Sequence, residues 1–168
     1  MTTDRGVFSH GKLDTGTALL LNQAPPPPAT GHLADIGCGT GAIALTLAQR
    51  SPQATVWAID VNQRARELTH ANAERLGLTN ITVAAPDDVP DTVTFSAIWS
   101  NPPIRIGKSA LHELLTTWLT RLDGTAILVV QKHLGSDSLQ RWLISQGYPT
   151  DRLTSRAGYR LFEVTAAR

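Results

Sequence analysis

From Gly31 onward, segments typical of β-strands alternate with segments typical of α-helices. This order is typical of a parallel sheet whose strands are joined by crossover helices. The predicted strands are Leu33–Ile36, Ala54–Ile59, Ile81–Ala85, Phe95–Trp99 and Ala126–Gln131. The predicted helices are Ala42–Arg50, Arg64–Leu76, Ser109–Arg121 and a last helix that is capped at Ser136–Asp137 and stopped by Gly147. Two short runs near Arg152–Ser155 and Tyr159–Thr165 then predict a hairpin, so the expected fold class is α/β.

The segment before Gly31 predicts a short helix and a stiff spacer. Asp14 and Thr15 are candidate caps for a helix that contains Ala18–Leu21, and Pro25–Pro28 form an extended run of four prolines. A length of 168 residues suits one globular domain. We therefore expect residues 1–168 to form a single domain, with 1–30 as an N-terminal cap segment and Pro-rich linker and 31–168 as the core.

Composition narrows the protein class further. No window approaches the roughly 20 apolar residues that a membrane span needs, and the chain has a single cysteine, Cys38, as expected in a reducing compartment. A soluble, cytoplasmic protein that does not bind membranes is expected. The formal net charge of +1 does not by itself indicate nucleic-acid binding, so any basic surface must be local. We find no histidine and carboxylate grouping with metal-ligand spacing, and no metal is expected.

A glycine-rich loop joins the first predicted strand to the first predicted helix. The segment Asp35–Gly41 contains Gly37, Gly39 and Gly41, which permit a tight turn and close approach of a ligand to the backbone. An acidic residue before the loop disfavours a pyrophosphate and suits a cationic ligand, so the pattern favours S-adenosylmethionine. Asp60 ends the second strand, where a carboxylate is expected to bind ribose hydroxyls. Asp87 is a weaker candidate for the adenine amino group, since it and Asp88 equally suit an exposed turn.

A second signal follows the fourth predicted strand, where Ser100 precedes Asn101, Pro102 and Pro103. Proline holds itself and the residue before it extended, which fixes the direction of the neighbouring carbonyl groups. The Asn101 side-chain oxygen and the Pro102 carbonyl then form two acceptors for a planar NH2 group. Because parallel sheets bind ligands at the carboxyl ends of their strands, Asn101 should face the same crevice as Asp35 and Asp60. Such a site would act chiefly by orientation and by stabilising charge on the acceptor nitrogen.

Taken together, these motifs resemble the methyltransferase small domain family, in particular the class I enzymes that make N2-methylguanine in ribosomal RNA. The resemblance rests on the segments Gly6–Ser9, Leu13–Thr17, Asp35–Gly41, Asp60, Ser100–Ile104 and Gly158–Arg160. It implies a Rossmann-like, seven-stranded, mostly parallel sheet with helices on both faces and an antiparallel last strand. It also implies methyl donation by S-adenosylmethionine to a guanine amino group, with Phe8, Ser9 and Gly16 over the cofactor.

Two departures from the family pattern bear on the substrate. Ile104 stands where the family usually has an aromatic residue that stacks on the target base, so stacking there is lost or weakened. Larger members also carry a second domain that helps to hold RNA, which leaves a homodimer or a partner subunit as possible replacements. RNA, as ribosomal RNA or a ribosomal subunit, is the expected partner. Candidate substrate-binding residues are Ile104 and the cations Arg105, Lys108, Lys132 and His133, which Lys12, Arg156 and Arg160 could join.

Three functions remain open at this point. The first is N-methylation of an exocyclic amino group in RNA, with guanine N2 of ribosomal RNA favoured. The second keeps the chemistry and changes the acceptor to a protein glutamine amide or a small molecule, because Asn-Pro-Pro also occurs in such enzymes. The third is a cofactor-binding RNA module without catalysis.

Overall fold

The computed structural model describes residues 13–167, which contain one seven-stranded sheet in the order β3-β2-β1-β4-β5-β7-β6. The strands are β1 His32–Ile36, β2 Thr55–Ile59, β3 Ile81–Ala84, β4 Phe95–Ser100, β5 Leu122–Gln131, β6 Thr150–Arg156 and β7 Tyr159–Thr165. The helices are α1 Thr15–Gln23, α2 Ala42–Arg50, α3 Gln63–Arg75, α4 Lys108–Leu119 and α5 Ser136–Ser145. Strands β1 to β5 pair in parallel and β7 runs antiparallel to both neighbours. The predicted fold class is confirmed.

Side chains alternate along the central strands and divide the core into two layers. On β5, Ala126, Leu128 and Val130 face one cluster, while Ile127 and Val129 face the other. This two-residue period is expected of a strand that is buried on both faces. Helices α4 and α5 cover the first face, and α1 and α2 cover the second. The helices therefore lie on both faces of the sheet, as predicted.

The N-terminal helix packs directly on the sheet. Leu19 and Leu20 of α1 are buried in the second cluster, and Asp14 caps the helix by accepting a hydrogen bond from the Thr17 backbone N–H at 3.1 Å. The proline run that follows is tied back, because the Ser51 hydroxyl donates to the Pro28 carbonyl at 2.7 Å. The packing places the first residues of α1 beside the carboxyl ends of β4 and β5. The proposed single-domain organisation stays a prediction.

Some predicted boundaries were wrong by a few residues. Strand β5 begins at Leu122 and not at Ala126, since Gly124 and its neighbours extend the pairing with β4 across a register shift. Short 3-10 turns also follow three strands, at Pro86–Asp88, Ile104–Ile106 and Lys132–Leu134. In the described part of the chain, no helix combines the length and apolar character needed to cross a membrane.

We predict that Gly124→Ala destabilises the fold. A Cβ atom at Gly124 would lie 2.1 Å from the Ser96 carbonyl oxygen on β4, so the two strands would have to separate locally. The expected loss is about 1–3 kcal/mol of unfolding free energy, measured by urea titration. The control is Asp123→Ala, an exposed neighbour that should change stability by less than about 0.5 kcal/mol. Equal unfolding midpoints for the two variants would contradict the prediction.

Candidate functional site

Three cavities meet at the carboxyl ends of β1, β2, β4 and β5. The loop cavity, of about 270 Å³, is lined by Leu13, Asp14, Thr17, Gly37, Cys38, Gly39, Thr40, Ala42, Ile43 and Asn101. The strand-end cavity, of about 290 Å³, lies between Asp60, Val61 and Pro86 on one side and Asn101, Pro103 and Ile106 on the other. The third, the acceptor cavity, of about 380 Å³, includes Asn101, Pro102, Ile104, Gln131 and Tyr159. Asn101 lines all three, so the predicted catalytic residue lies where they join.

The glycine loop is built for close approach of a ligand. Gly37, Gly39 and Gly41 all have positive φ, and no described residue other than the chain neighbours lies within 4 Å of a Cβ built at Gly37 or Gly39. Gly41 has a different role, because a Cβ there would lie 2.8 Å from the buried Thr69 side chain. Thr69 on α3 also donates to the Gly39 carbonyl at 3.1 Å and so supports the loop from beneath. Gly37 and Gly39 thus add no side chain to the surface of the loop, while Gly41 packs against Thr69.

Asp60 ties the end of β2 to this loop. Its Oδ2 accepts a hydrogen bond from Gly39 N–H at 3.0 Å, and its Oδ1 accepts from Asn62 N–H at 2.9 Å. The side chain lines the strand-end cavity, where its remaining acceptor capacity suits hydroxyl groups. Asp87 lies on the 3-10 turn after β3 with its side chain exposed, whereas its neighbour Pro86 lines that cavity.

Asp35 is buried beneath the loop, with 1% of its surface exposed. Its Oδ2 accepts from Ala44 N–H at 3.0 Å, in the first turn of α2, and its Oδ1 has no hydrogen-bond partner among residues 13–167. Burial, reinforced by the charge of Asp60, raises the Asp35 pKa to about 8. Cys38 in the loop is also buried, and this burial raises its thiol pKa to about 12, so it stays protonated and is no nucleophile. The predicted direct role of Asp35 toward a cation stays a prediction.

The side chain of Asn101 is held by the N-terminus of α1. Its Nδ2 donates to Asp14 Oδ2 at 2.8 Å and to Thr17 Oγ1 at 3.1 Å. A carboxylate can only accept hydrogen bonds, so the NH2 side of the amide must face Asp14 and the Oδ1 atom faces away from it. Ser100, next to it, donates to the Ile36 carbonyl at 2.7 Å and joins the ends of β4 and β1. Asn101 is thereby presented to the crevice as an acceptor.

The residues after Asn101 shape the acceptor cavity. Pro102 is buried, and the Pro103 carbonyl accepts from Ile106 N–H at 3.3 Å, which closes the 3-10 turn. Ile104 is half-buried against the core and lines both the acceptor cavity and a neighbouring one of about 280 Å³. Leu134, on the 3-10 turn after β5, lines the same two cavities. Ile104 and Leu134 therefore form an aliphatic floor of the acceptor cavity, at the place where an aromatic ring was expected.

The four predicted basic residues lie on or beside the two turns that border this floor, with Lys108 as the first residue of α4. Arg105 lines the acceptor cavity and Lys108 lines the neighbouring one, while Lys132 and His133 are exposed beside Leu134. Arg160, which could have joined them, instead forms an ion pair with Asp137. Lys12 lies outside the described residues. In residues 13–167, no cluster of His, Cys, Asp or Glu is arranged to hold a metal ion.

Three of the expected cofactor contacts precede the sheet in the sequence: Phe8, Ser9 and Gly16. Phe8 and Ser9 lie outside the described residues. Gly16 is buried in the first turn of α1, where a Cβ would lie 2.7 Å from Tyr159 Cε1. Its lack of a side chain thus lets α1 approach the start of β7.

Sequence reasoning missed several residues of the site. Asp14 was interpreted as a helix cap alone, although its carboxylate also holds Asn101. Val61 lines the strand-end cavity with 80% of its surface exposed, and no signal in the sequence pointed to it. Gln131 and Tyr159 were placed on strands without a role, and both line the acceptor cavity.

The chain is similar to known proteins over most of its length. A family model described as methyltransferase small domain matches residues 1–163. The YbxB protein of Bacillus subtilis is 39% identical over 142 residues, which cover 82% of this chain and 71% of YbxB. Ribosomal RNA small subunit methyltransferase C of Pseudomonas putida is 39% identical over 102 residues, which cover 61% of this chain and 30% of that protein. The chain thus spans under a third of that relative.

A solved structure gives the same fold. The T. thermophilus 16S rRNA N2 methyltransferase RsmC, in complex with AdoMet and guanosine, superposes with a TM-score of 0.73 at 22% identity. The match covers 95% of this chain and 45% of that one. The chain belongs to the methyltransferase small domain family, which confirms the predicted family and enzyme class. The protein is a methyltransferase that uses S-adenosylmethionine.

We predict that Asp35 makes the stability of the fold depend on pH. Its pKa is 3.8 ordinarily and about 8 when folded, so between these values the folded state binds more protons than the unfolded state. Stability from this group is therefore full below about pH 4 and is lost as pH rises toward 8, by at most about 1.4 kcal/mol per pH unit.

The test is urea unfolding of the wild type and Asp35→Asn between pH 5 and 8. The neutral amide keeps an acceptor for Ala44 N–H, so the variant should gain stability relative to the wild type as pH rises. Asp91→Asn, at an exposed carboxyl, is the matched control and should track the wild type. Parallel pH profiles for wild type and Asp35→Asn would count against the assignment.

Proposed function

We propose that this protein methylates an exocyclic amino group of RNA, with guanine N2 in ribosomal RNA as the favoured acceptor. The observation that carries the proposal is the position of Asn101, which lines the acceptor cavity and both cavities beside the glycine loop. Its amide is turned so that Oδ1 is available to an NH2 donor. The names of the ribosomal RNA methyltransferase relatives support RNA as the substrate class.

The residues present fit S-adenosylmethionine. Gly37 lines both the loop cavity and the strand-end cavity, so an elongated ligand could pass from one to the other over its bare backbone. Asp60 would hold the ribose hydroxyls, and Asp87 remains a candidate for the adenine amino group. The apolar residues Val61, Pro86 and Ile106 suit a flat heterocycle at the strand-end cavity. The predicted role of Asp35 toward the cationic part of the ligand requires its ionised form, which a positive charge nearby would favour by lowering the raised pKa.

When bound, the cofactor supplies an electrophilic methyl group: the new N–C bond forms as the C–S bond breaks, which leaves S-adenosylhomocysteine. Asn101 Oδ1 and the Pro102 carbonyl would each accept one N–H of the acceptor amine and turn its lone pair toward the methyl carbon. Both acceptors favour the positive charge that builds on nitrogen, and the extra proton passes to solvent. Orientation therefore replaces a strong base in this mechanism.

The cations near the acceptor cavity would hold the RNA backbone. They are Arg105, Lys108, Lys132 and His133, on or beside the two turns that border the aliphatic floor, where phosphates on either side of a target base could reach them. Four cations form a small surface for a structured RNA, so a second copy of the chain or a partner subunit would extend it. Sedimentation of the protein alone and with RNA measures that part of the proposal.

The transfer assay tests the function directly. Purified protein is incubated with labelled S-adenosylmethionine and hypomethylated ribosomal RNA, either naked or within each ribosomal subunit. We expect label in RNA, recovered as N2-methylguanosine after digestion. Absence of transfer to all three substrates would contradict the proposal. Label in a protein glutamine amide or a small molecule would favour that alternative, and cofactor binding without any transfer would favour a non-catalytic module.

We predict that Asn101→Ala lowers the transfer rate by roughly 10²-fold or more and changes cofactor affinity only a few-fold. The reason is that Asn101 acts on the acceptor amine, while the glycine loop and Asp60 remain intact. Single-turnover transfer and calorimetry with S-adenosylhomocysteine give the two readouts. Asn22→Ala, at an exposed position on α1, is the matched control. An unchanged rate in Asn101→Ala would rule out the two-acceptor mechanism.

We further predict that Asp14 acts as a positioning residue for Asn101. Asp14→Ser retains a helix cap but is too short to hold the Asn101 amide, so transfer should fall roughly tenfold at nearly wild-type stability. Asp14→Asn keeps a side-chain oxygen that can accept from both Thr17 N–H and Asn101 Nδ2, so it should restore most of the rate. If the two variants lost activity equally, or lost it only in proportion to stability, Asp14 would be a cap and nothing more.

A further inference from the structure

One wall of the acceptor cavity carries a polar pair that the mechanism above does not use. Gln131 at the end of β5 and Tyr159 at the start of β7 are directly opposite each other in the antiparallel pairing. Gln131 Nε2 donates to the Tyr159 hydroxyl at 3.1 Å, and both side chains are half-buried. Val129, two residues before Gln131 on the same side of β5, completes this wall.

The positions of these two side chains are held from outside the cavity. The Tyr159 ring packs over Gly16 on α1, so closely that a Cβ atom there would overlap the ring. The pairing of β5 with β7, from Thr125–Thr165 to Gln131–Tyr159, fixes the positions of both residues along their strands. A pair fixed by its backbone and by a neighbouring helix can recognise the shape and hydrogen-bonding pattern of a ligand.

We propose that Gln131 and Tyr159 read the base edge beside the methylated amino group and select guanine over adenine. This inference rests on the proposed function. With Nε2 donated to Tyr159, Gln131 offers Oε1 as an acceptor, and Tyr159, having accepted that bond, offers its own O–H as a donor. Together with Asn101 Oδ1, the cavity presents two acceptors and one donor.

Guanine matches this set along its Watson–Crick edge. Its N2 amino group donates to Asn101, its N1–H donates to Gln131 Oε1, and its O6 accepts from the Tyr159 hydroxyl. Adenine offers an amino group followed by an N1 acceptor, which would face the Gln131 acceptor with no hydrogen between them. Unpaired polar groups in a confined site carry large penalties, so this mismatch discriminates against adenine. The pair thus supplies selectivity where Ile104 offers no aromatic ring.

Binding of free nucleotides tests the inference without requiring catalysis. Protein saturated with S-adenosylhomocysteine is titrated with guanosine monophosphate and with adenosine monophosphate, and the shifts of amide resonances are followed by NMR. The wild type should prefer the guanine nucleotide by roughly tenfold or more. Gln131→Leu should abolish that preference, and Tyr159→Phe should reduce it while the ring still packs over Gly16. Gln131→Glu should also reduce it, because the carboxylate still accepts from N1–H but draws the Tyr159 hydroxyl away from guanine O6.

The controls separate this inference from the proposed function. Gln53→Leu, at an exposed turn, should leave the preference unchanged. Cofactor affinity should be the same in all variants, because neither residue lines the loop or strand-end cavities. Equal binding of the two nucleotides by the wild type, no measurable guanine binding, or an intact preference in Gln131→Leu would each overturn the inference. A failed RNA transfer assay would instead overturn the proposed function.

Discussion

The hydrogen bond from Asn101 to Asp14 is the contact on which the arrangement of the site depends. It joins residues 87 positions apart and links the first turn of α1 to the end of β4. Asp14 is exposed, so this pair adds little to global stability. Its effect is on orientation: because a carboxylate only accepts hydrogen bonds, the NH2 group of the Asn101 amide must point toward Asp14. The N-terminal helix therefore sets the orientation of a side chain at a strand end that is distant from it in sequence.

Hydrogen bonds between short side chains and the backbone hold together the strand ends and the glycine loop that line the site. Ser100 holds β4 to β1, Asp60 holds the glycine loop to β2, and Thr69 supports that loop from α3. Each of these side chains has few rotatable bonds, and two of the three contacts use buried hydroxyls. The distance between the glycine loop and Asn101 is thus set by the sheet itself. A reaction that depends on orientation requires such a frame.

Local signals explain how much of this fold could be predicted. The order of strands and helices, the glycine loop and the strand-end positions of Asp60 and Asn101 follow from turn residues and apolar periods within short windows. The 3-10 turns and the early start of β5 escaped prediction because they depend on neighbours, as in the approach of Gly124 to Ser96. The Asp14 contact and the Gln131–Tyr159 pair join distant segments, and no short window contains them. The burial of Asp35 likewise depends on the packing of α2 over β1.

Ile104 shows how the parts of the acceptor cavity depend on one another. Its side chain packs on the core and, with Leu134, forms a floor that continues into a second cavity between α4 and α5. An aliphatic floor gives contact area to any base but distinguishes none, since each base offers the same apolar faces. Selection must then come from groups at the cavity wall that differ in donors and acceptors. In the described part of the cavity those groups are Asn101, Gln131 and Tyr159 together with two charges, Asp14 and Arg105. Asp14 already accepts from Asn101, and Arg105 is exposed, where a phosphate could reach it. Under the proposed function, the choice of a base therefore falls to the three neutral side chains, which the ends of β4 and β5 and the start of β7 bring together.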